Sequence, residues 1–309
     1  LTALLAFAVF SVHDVVVKFL GGVYSPFQII FFSVLFSFPL ITMMLMRDPT
    51  PGNLRPVHPW WIAFRTVAGV TTSVSAYYAF SVLPLAQIYA VLFAAPLLIT
   101  VLSIPILGER VRLRRWLAVI VGLVGVLIVL RPGSSELGLG HLAALSAAFG
   151  IALASIIVRK VGRQERAVVL LLYPIIANFV LMAIALPFVY QPMPITDLGL
   201  VGIISLFSFG AGLLLIVAYK NAEAAIVAPM QYSQIIWAAI FGFWIFDERI
   251  DPATMLGAGI VILSGLYIVL RESRASVSDH TPVLRTRTRF EFGSTFRISP
   301  MLRRGRTKK

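Results

Sequence analysis

The feature that most limits how this chain can fold is a series of ten apolar runs, each of a length that can cross a lipid bilayer. A helix needs about 20 apolar residues to span the hydrocarbon, and this 309-residue chain is 59% hydrophobic and 13% charged. The runs are Leu1–Leu20, Pro26–Met46, Trp60–Val82, Ala86–Leu107, Leu113–Leu130, Leu139–Val158, Ala167–Tyr190, Leu198–Ala218, Ala224–Phe246 and Ala253–Leu270. Because backbone groups in lipid must be hydrogen-bonded within their own segment, the runs predict an all-α membrane protein with ten transmembrane helices.

The runs divide into two sets of five that resemble each other. A shift of about 139 positions places Ala79 on Ala218, Glu109 on Glu248 and Leu117 on Leu256. In each set one run ends at a Gly-Glu-Arg or Asp-Glu-Arg turn, and a glycine-bearing run then ends at an arginine. We therefore predict two five-helix repeats, residues 1–133 and 134–272. The alternative is chance similarity between two apolar segments.

The positions of lysine and arginine predict the orientation of the chain. Cytoplasmic loops of membrane proteins are enriched in these residues, and here they concentrate in the loops after even-numbered runs. They are Arg47, Arg55, Arg110, Arg112, Arg114, Arg115, Arg159, Lys160, Arg163, Arg166 and Lys220. Both termini are then cytoplasmic. Since five is an odd number, the second repeat is inverted relative to the first, as in many secondary transporters, although channels and membrane enzymes are also duplicated.

The last segment, residues 273–309, differs from the rest of the chain because it is polar and rich in arginine. We interpret it as a disordered cytoplasmic tail beside the anionic inner leaflet; a nucleic-acid or partner-binding arm is the alternative. The net charge of +13 does not by itself indicate nucleic-acid binding, since much of the charge lies in this tail and in short loops. The chain begins at Leu1 inside an apolar run, so we expect a few residues to precede it.

The first run contains a carboxylate well inside its apolar stretch. Phe7, Ser11, Asp14 and Lys18 share one helical face. Ionisable groups inside a membrane are costly and usually functional. Asp14 either forms an ion pair with Lys18, four residues later, while Lys18 reaches the outer headgroups, or binds a proton, a cation or a substrate amine in a central cavity. The functional interpretation is favoured. His13 is interpreted as a polar residue at a helix contact, and a proton carrier is the alternative.

Further polar residues lie in the third and ninth runs. The candidates for substrate or coupling-ion binding, together with Asp14, Ser11 and Lys18, are Thr71, Ser75, Tyr78, Gln231, Gln234 and Trp237. Serine and threonine in membranes also serve as interhelical contacts, so packing is the alternative role for the third-run residues. The first repeat lacks the glutamines at matched positions. A site with an acid from one half and amides from the other suits a polar organic molecule.

The chain contains no sequence signal for catalysis or for a prosthetic group. It has no cysteine, no glycine-rich phosphate loop, no metal-ligand spacing and no nucleophile elbow. We therefore predict no metal, no cofactor and no enzymatic activity. A membrane-embedded enzyme or a lipid-handling protein remains the alternative function. Glu109 and Glu248 are interpreted as loop ion pairs with neighbouring arginines.

The repeat plan resembles the EamA-type drug/metabolite transporters over Leu1 to Arg271, and the tail departs from it. The Phe-Ser-x-x-Asp-x-x-x-Lys pattern at Phe10–Lys18 resembles the branch of S-adenosylmethionine and riboflavin importers. The resemblance implies a carrier for a small metabolite, such as an amino-acid derivative, in a bacterial inner membrane. The expected partners are this metabolite and the lipid bilayer, with no nucleic acid; a homodimer is left open.

Overall fold

The regular structure of this protein is helical throughout the part described by the computed structural model. That part comprises residues 1–46, 54–108, 111, 113–131, 138–162, 164–165, 167–221 and 230–273. The helices of the first half are α1 (Thr2–Gly21), α2 (Pro26–Met46), α3 (Pro59–Val82), α4 (Leu85–Leu92), α5 (Ala95–Leu107) and α6 (Leu113–Leu130). Those of the second half are α7 (Leu139–Val161), α8 (Ala167–Val189), α9 (Ile195–Asn221), α10 (Gln234–Phe246) and α11 (Pro252–Ser273), and a 3-10 turn at Gln231–Ser233 precedes α10.

Proline and glycine mark several of the helix ends, as their backbone chemistry requires. Pro26, Pro59 and Pro252 are each the first residue of a helix, where the missing N–H costs no intrahelical bond. Gly108 ends α5 in the left-handed conformation, with φ at +72°. Asp247 ends α10 in the same conformation, with φ at +51°, and lies 139 positions after Gly108.

The fourth and ninth runs, predicted as single helices, are each interrupted. The fourth run turns at Phe93 and Ala94, between α4 and α5. Pro96 explains this break, because its ring has no N–H and would clash with the carbonyl group four residues earlier. In the ninth run the 3-10 turn at Gln231–Ser233 leads into α10. Residues 222–229, which include the beginning of that run, lie outside the described residues.

The described helices include six spans that are long and apolar enough to cross a membrane. They are Thr2–Gly21, Pro26–Met43, Leu85–Leu107, Leu139–Val161, Leu172–Val189 and Ile195–Leu215. Two shorter apolar helices are Trp116–Leu130 and Pro252–Ile268. The length of α3, 24 residues, would suffice, but its serines, threonines and Arg65 lower its mean hydropathy. The chain is thus a multi-pass membrane protein, while the count of ten crossings stays a prediction.

The helices pack in pairs that bring the two halves of the chain together. α1 packs against α9, α3 against α7, α2 against α8 and α6 against α11. The shift of about 139 positions that relates the halves carries α1 onto α7 and α3 onto α9. The α1–α9 pair is therefore the counterpart of the α7–α3 pair. The halves do not form two separate bundles, because each helix of these pairs packs against a helix of the other half.

The α6–α11 pair approaches closely because glycines face each other. A Cβ atom added to Gly125 would lie 2.8 Å from the carbonyl oxygen of Gly257, and one added to Gly257 would lie 2.5 Å from that of Gly125. Only residues without side chains allow the two backbones this distance, as at other tight helix contacts in membranes. The sequence analysis noted glycines in both runs but did not predict that they meet.

Candidate functional site

Asp14 lies on the half-buried middle stretch of α1 and is hydrogen-bonded there. Its Oδ1 atom is 2.8 Å from Nδ1 of His13, and its Oδ2 atom accepts a hydrogen bond from the hydroxyl group of Tyr89. The side chain of Asp14 is 14% exposed and that of His13 is 12% exposed. A carboxylate removed from water needs such donors, because burial without hydrogen bonds costs several kcal/mol.

Tyr89 connects three elements of the candidate site. It is buried on α4, one turn before the break at Phe93. The side chains of Ser11 and Gln234 also lie near its hydroxyl group. Ser11 also donates to the carbonyl oxygen of Phe7 at 2.9 Å. The structure therefore brings together Asp14 and Ser11 from α1 and Gln234 from α10, three residues that the sequence indicated separately.

Tyr89 was not among the predicted site residues. It lies in a run of small and aliphatic residues, where a single tyrosine is also compatible with packing. One signal could have found it: the proline at Pro96 predicts a break in this run, and broken helices in transporters commonly line the substrate site. His13 was assigned to a helix contact, and its ring does lie edge-on to the ring of Tyr77 on α3, with 6.4 Å between the centroids.

A series of aromatic rings packs around Tyr89 and the helix breaks. The ring centroids of Phe80 and Tyr89 are 6.0 Å apart, as are those of Tyr89 and Phe93. Phe93 then meets Tyr232 of the 3-10 turn edge-to-face at 5.0 Å. An acid beside aromatic faces is an arrangement that favours organic cations, because the ring quadrupole attracts positive charge.

The remaining predicted residues have the following contacts and exposure. Ser75 is 3.2 Å from Ser146 of α7 through their hydroxyl oxygens, which agrees with the packing alternative. Thr71 is exposed on α3, and the carbonyl group of Tyr78 accepts a hydrogen bond from Ser81 at 2.7 Å. Trp237 of α10 is stacked on Phe241, with 5.9 Å between the ring centroids. Gln231 opens the 3-10 turn and is half-buried.

Lys18 forms an ion pair with a glutamate of the second half, which was not among its expected partners. Its Nζ atom is 2.8 Å from Oε1 of Glu248, donates to the carbonyl oxygen of Leu83 and lies 5.2 Å from the ring centroid of Phe246. The expected alternatives, a pair with Asp14 or contact with headgroups, do not describe this position. Glu248 was expected to pair with a neighbouring arginine. It reaches instead from the α10–α11 turn to Lys18 on α1, and it accepts a hydrogen bond from the backbone N–H of Leu85 at 3.0 Å.

Further polar contacts at the same end of the bundle also join the two halves. The hydroxyl group of Tyr24 donates to Asp197 at 2.6 Å, and this hydrogen bond, followed by burial, raises the pKa of Tyr24. Gln28 donates to the carbonyl oxygen of Gln191 at 2.7 Å and accepts from its N–H at 2.9 Å. Arg131 pairs with Asp251. This end of the bundle is thus closed by several contacts between the halves.

Among the described residues there is no group of three or more histidine, cysteine, aspartate or glutamate side chains that could hold a metal ion.

Both halves of the chain match the model of a known protein family. The family model described as "EamA-like transporter family" matches residues 1–131 and again residues 138–271. The chain belongs to the EamA-like transporter family. Its two matched segments meet between α6 and α7, so both halves of this EamA-like protein, including Asp14 in one and Gln234 in the other, lie inside the family region.

Two proteins of similar sequence are named as transporters. The S-adenosylmethionine uptake transporter of Rickettsia prowazekii is 27% identical over 280 residues, which cover 90% of this chain and 94% of the relative. The pseudopaline exporter of Pseudomonas aeruginosa is 27% identical over 282 residues, which cover 89% of this chain and 96% of the relative. The family and these names indicate a transporter of a small molecule and not an enzyme.

A solved crystal structure shares the fold of this EamA-like protein. Its TM-score is 0.55 at 20% sequence identity, and the match covers 87% of this chain and 94% of that chain. At this identity the likeness extends to the fold alone.

Proposed function

We propose that this protein is a secondary transporter that moves a small polar organic metabolite across the bacterial inner membrane by alternating access. The metabolite is an amino-acid derivative with a cationic centre, of the kind represented by S-adenosylmethionine; a riboflavin-like molecule is the less favoured class. The observation that carries this proposal is the position of Asp14. It is a half-buried carboxylate in a membrane helix, held by Tyr89 and bordered by Gln234 and aromatic rings.

The chemistry of the cluster matches such a substrate better than it matches a bare ion. Asp14 supplies a negative charge for a sulfonium or ammonium centre, and the rings of Tyr89, Phe93 and Tyr232 supply faces for a planar group. The amide of Gln234 can donate and accept hydrogen bonds. Binding pockets commonly combine apolar walls with a few such polar groups.

The arrangement of the halves supports alternating access through inverted repeats. Phe93 and Tyr232 are related by the repeat shift of 139 positions, and their rings are in contact. Contact between equivalent positions is what a two-fold axis through the site would produce. The repeats, residues 1–133 and 134–272, together with a membrane orientation that has both termini in the cytoplasm, are parts of this proposal.

Purified protein in liposomes tests the substrate class directly. We expect labelled S-adenosylmethionine to accumulate, and unlabelled S-adenosylmethionine to compete more strongly than S-adenosylhomocysteine, which has a neutral thioether in place of the sulfonium. The difference should be roughly 10- to 100-fold, because a hydrogen bond or ion contact to a charged group contributes about 1.5–3 kcal/mol. Riboflavin, methionine and spermidine complete the panel. A second experiment places the labelled substrate inside the liposomes and measures its release, which reports the direction of transport. The direction is open because the relatives include both an uptake protein and an exporter.

Asp14→Asn is the matched variant, because it keeps the shape of the side chain and removes its charge. We expect it to lose concentrative uptake and the preference for the sulfonium, and the double variant with Lys18→Gln not to recover either. Asp197→Asn, a carboxylate change outside the cluster, is the control and should retain the preference. Near-normal uptake by a monodisperse Asp14→Asn protein would contradict the assignment of Asp14.

A further inference from the structure

The ion pair between Lys18 and Glu248 is largely shielded from solvent, unlike an ordinary surface ion pair. The side chain of Lys18 is 11% exposed and that of Glu248 is 19% exposed. The left-handed turn at Asp247 directs Glu248 back over α10, and its N–H donates to the carbonyl oxygen of Gly242 at 2.8 Å. A Cβ atom on Gly242 would lie 3.0 Å from Oε2 of Glu248, so the glycine makes room for the carboxylate.

The same contact joins three segments from the two halves of the protein. Glu248 belongs to the α10–α11 turn, Lys18 to the last turn of α1, and Leu83 and Leu85 to the turn between α3 and α4. Oε2 of Glu248 accepts from the N–H of Leu85 at the start of α4, where the helix dipole favours a negative charge. We call this group of four residues the outer contact.

Lys18 has a second carboxylate within reach along its own helix. Asp14 is four residues earlier on the same face of α1, and side chains at this spacing are neighbours that can form an ion pair. Side chains of a helix also lean towards its N-terminus, which directs the stem of Lys18 towards Asp14. Because Glu248 belongs to the second half, a separation of the halves at this end would leave Asp14 as the neighbouring acid on α1.

We propose that Lys18 alternates between two carboxylates: Glu248, with which it closes this end of the bundle, and Asp14, with which it pairs when this end is open. A substrate cation that takes Asp14 then releases Lys18 to Glu248, so binding promotes closure. This inference rests on the proposed function for its substrate and for the assignment of this end to the outside. It assigns Lys18 to the closing of the site and not to substrate binding.

Accessibility of a single cysteine tests this inference in the full chain. The sequence has no cysteine, and Gln87 lines a recess together with Glu248, so Gln87→Cys reports opening at this end. The rate of reaction with a membrane-impermeant thiol reagent is measured from outside. Lys18→Gln and Glu248→Gln should each accelerate labelling by about 5- to 30-fold, the factor for one or two kcal/mol in a two-state equilibrium. Gly259→Ala, whose added Cβ would have no neighbour within 4 Å, is the control and should change the rate little.

The distinguishing variant is Asp14→Asn. If Lys18 alternates, removing its second partner keeps it on Glu248, and labelling of the Gln87→Cys reporter should be slower than in the parent without any substrate. The effect should vanish in a Lys18→Gln background, since it acts through Lys18. S-adenosylmethionine, as the probe, should slow labelling in the parent and not in Asp14→Asn.

The contrary results are equally distinct. An unchanged rate in Asp14→Asn, with faster labelling in Lys18→Gln, would make the Lys18–Glu248 pair a fixed structural contact and overturn the alternation. Unchanged labelling in both Lys18→Gln and Glu248→Gln would overturn the role of the pair in closure. A slower rate in Asp14→Asn without any effect of S-adenosylmethionine would support the alternation and reject the proposed substrate.

Discussion

At the scale of the residue, the site is organised by side chains that receive partners from distant parts of the chain. Tyr89 is 75 positions from Asp14 and Glu248 is 230 positions from Lys18, yet each pair is in contact. Gln234 lies near Tyr89. The acid and the amide come from different halves of the chain, and a substrate site that combines them stays a prediction.

Gln234→Ala tests the contribution of the second half to binding. We expect the affinity for S-adenosylmethionine to fall by roughly 5- to 100-fold, because a polar contact of about 1–3 kcal/mol is left unmade. Gln87→Ala is the matched control, since this amide lines the recess near Glu248 and not the Asp14 cluster. Equilibrium binding to both purified variants, with gel filtration as the folding check, decides the outcome. Equal affinities of Gln234→Ala and the parent would make Gln234 a packing residue.

At the scale of the element, glycine and proline determine how the helices meet and where they break. Pro96 separates α4 from α5 inside one membrane span, and this break places Phe93 against Tyr232. Gly125 and Gly257 allow α6 and α11 to touch through their backbones. The two glycines allow this contact because an added side chain would overlap the partner helix.

The α6–α11 contact predicts that two neighbouring glycines differ in their tolerance to alanine. Gly257→Ala should lower stability by about 1–3 kcal/mol, because its Cβ would overlap the backbone of Gly125. A Cβ on Gly259 would have no neighbour within 4 Å, so Gly259→Ala should be neutral or stabilising by up to about 1 kcal/mol, given the helix propensity of alanine. Thermal unfolding of both variants in detergent measures the difference, and equal melting temperatures would contradict the close contact.

At the scale of the whole molecule, the two halves form one interlocked unit. α1 and α3 of the first half pack against α9 and α7 of the second, and Lys18, Tyr24 and Gln28 contact the second half at one end. At the other end, the N–H of His58 donates to Glu165 at 2.5 Å and Lys160 lies 4.3 Å from the ring centroid of Trp61. Alternating access requires one set of contacts to open while the other persists.

Single cysteines determine which end faces the cytoplasm. Cysteines at Arg114 and at Ser278, a position outside the described residues, should resist an impermeant thiol reagent in intact cells, because the positive loops predict a cytoplasmic location. Val23→Cys is the control, as Val23 is 61% exposed in the turn between α1 and α2, at the opposite end. Labelling of Arg114→Cys or Ser278→Cys from outside, with protection of Val23→Cys, would reverse the orientation and place the outer contact in the cytoplasm.

The sequence by itself determined the helical membrane class, the approximate positions of most of the described helices and the candidate acid. The reason is that the hydrocarbon requires long apolar segments with internally bonded backbones, and a carboxylate within such a segment is conspicuous. It also indicated the matched turns at Gly108 and Asp247, since a repeated fold needs the same helix ends. The prediction of two five-helix repeats and of both cytoplasmic termini remains to be tested.

Only the tertiary structure decided which polar residues meet. Helical periodicity states that Asp14 and Lys18 share a face of α1, but it does not say which helix lies opposite that face. The packing of α4 places Tyr89 on Asp14, and the turn at Asp247 brings Glu248 to Lys18. Local spacing made the Asp14–Lys18 pair one of two alternatives, because the two are neighbours on one helix. Buried charges instead take the partners that the packed helices supply, because an unpaired charge in low dielectric is the costlier outcome.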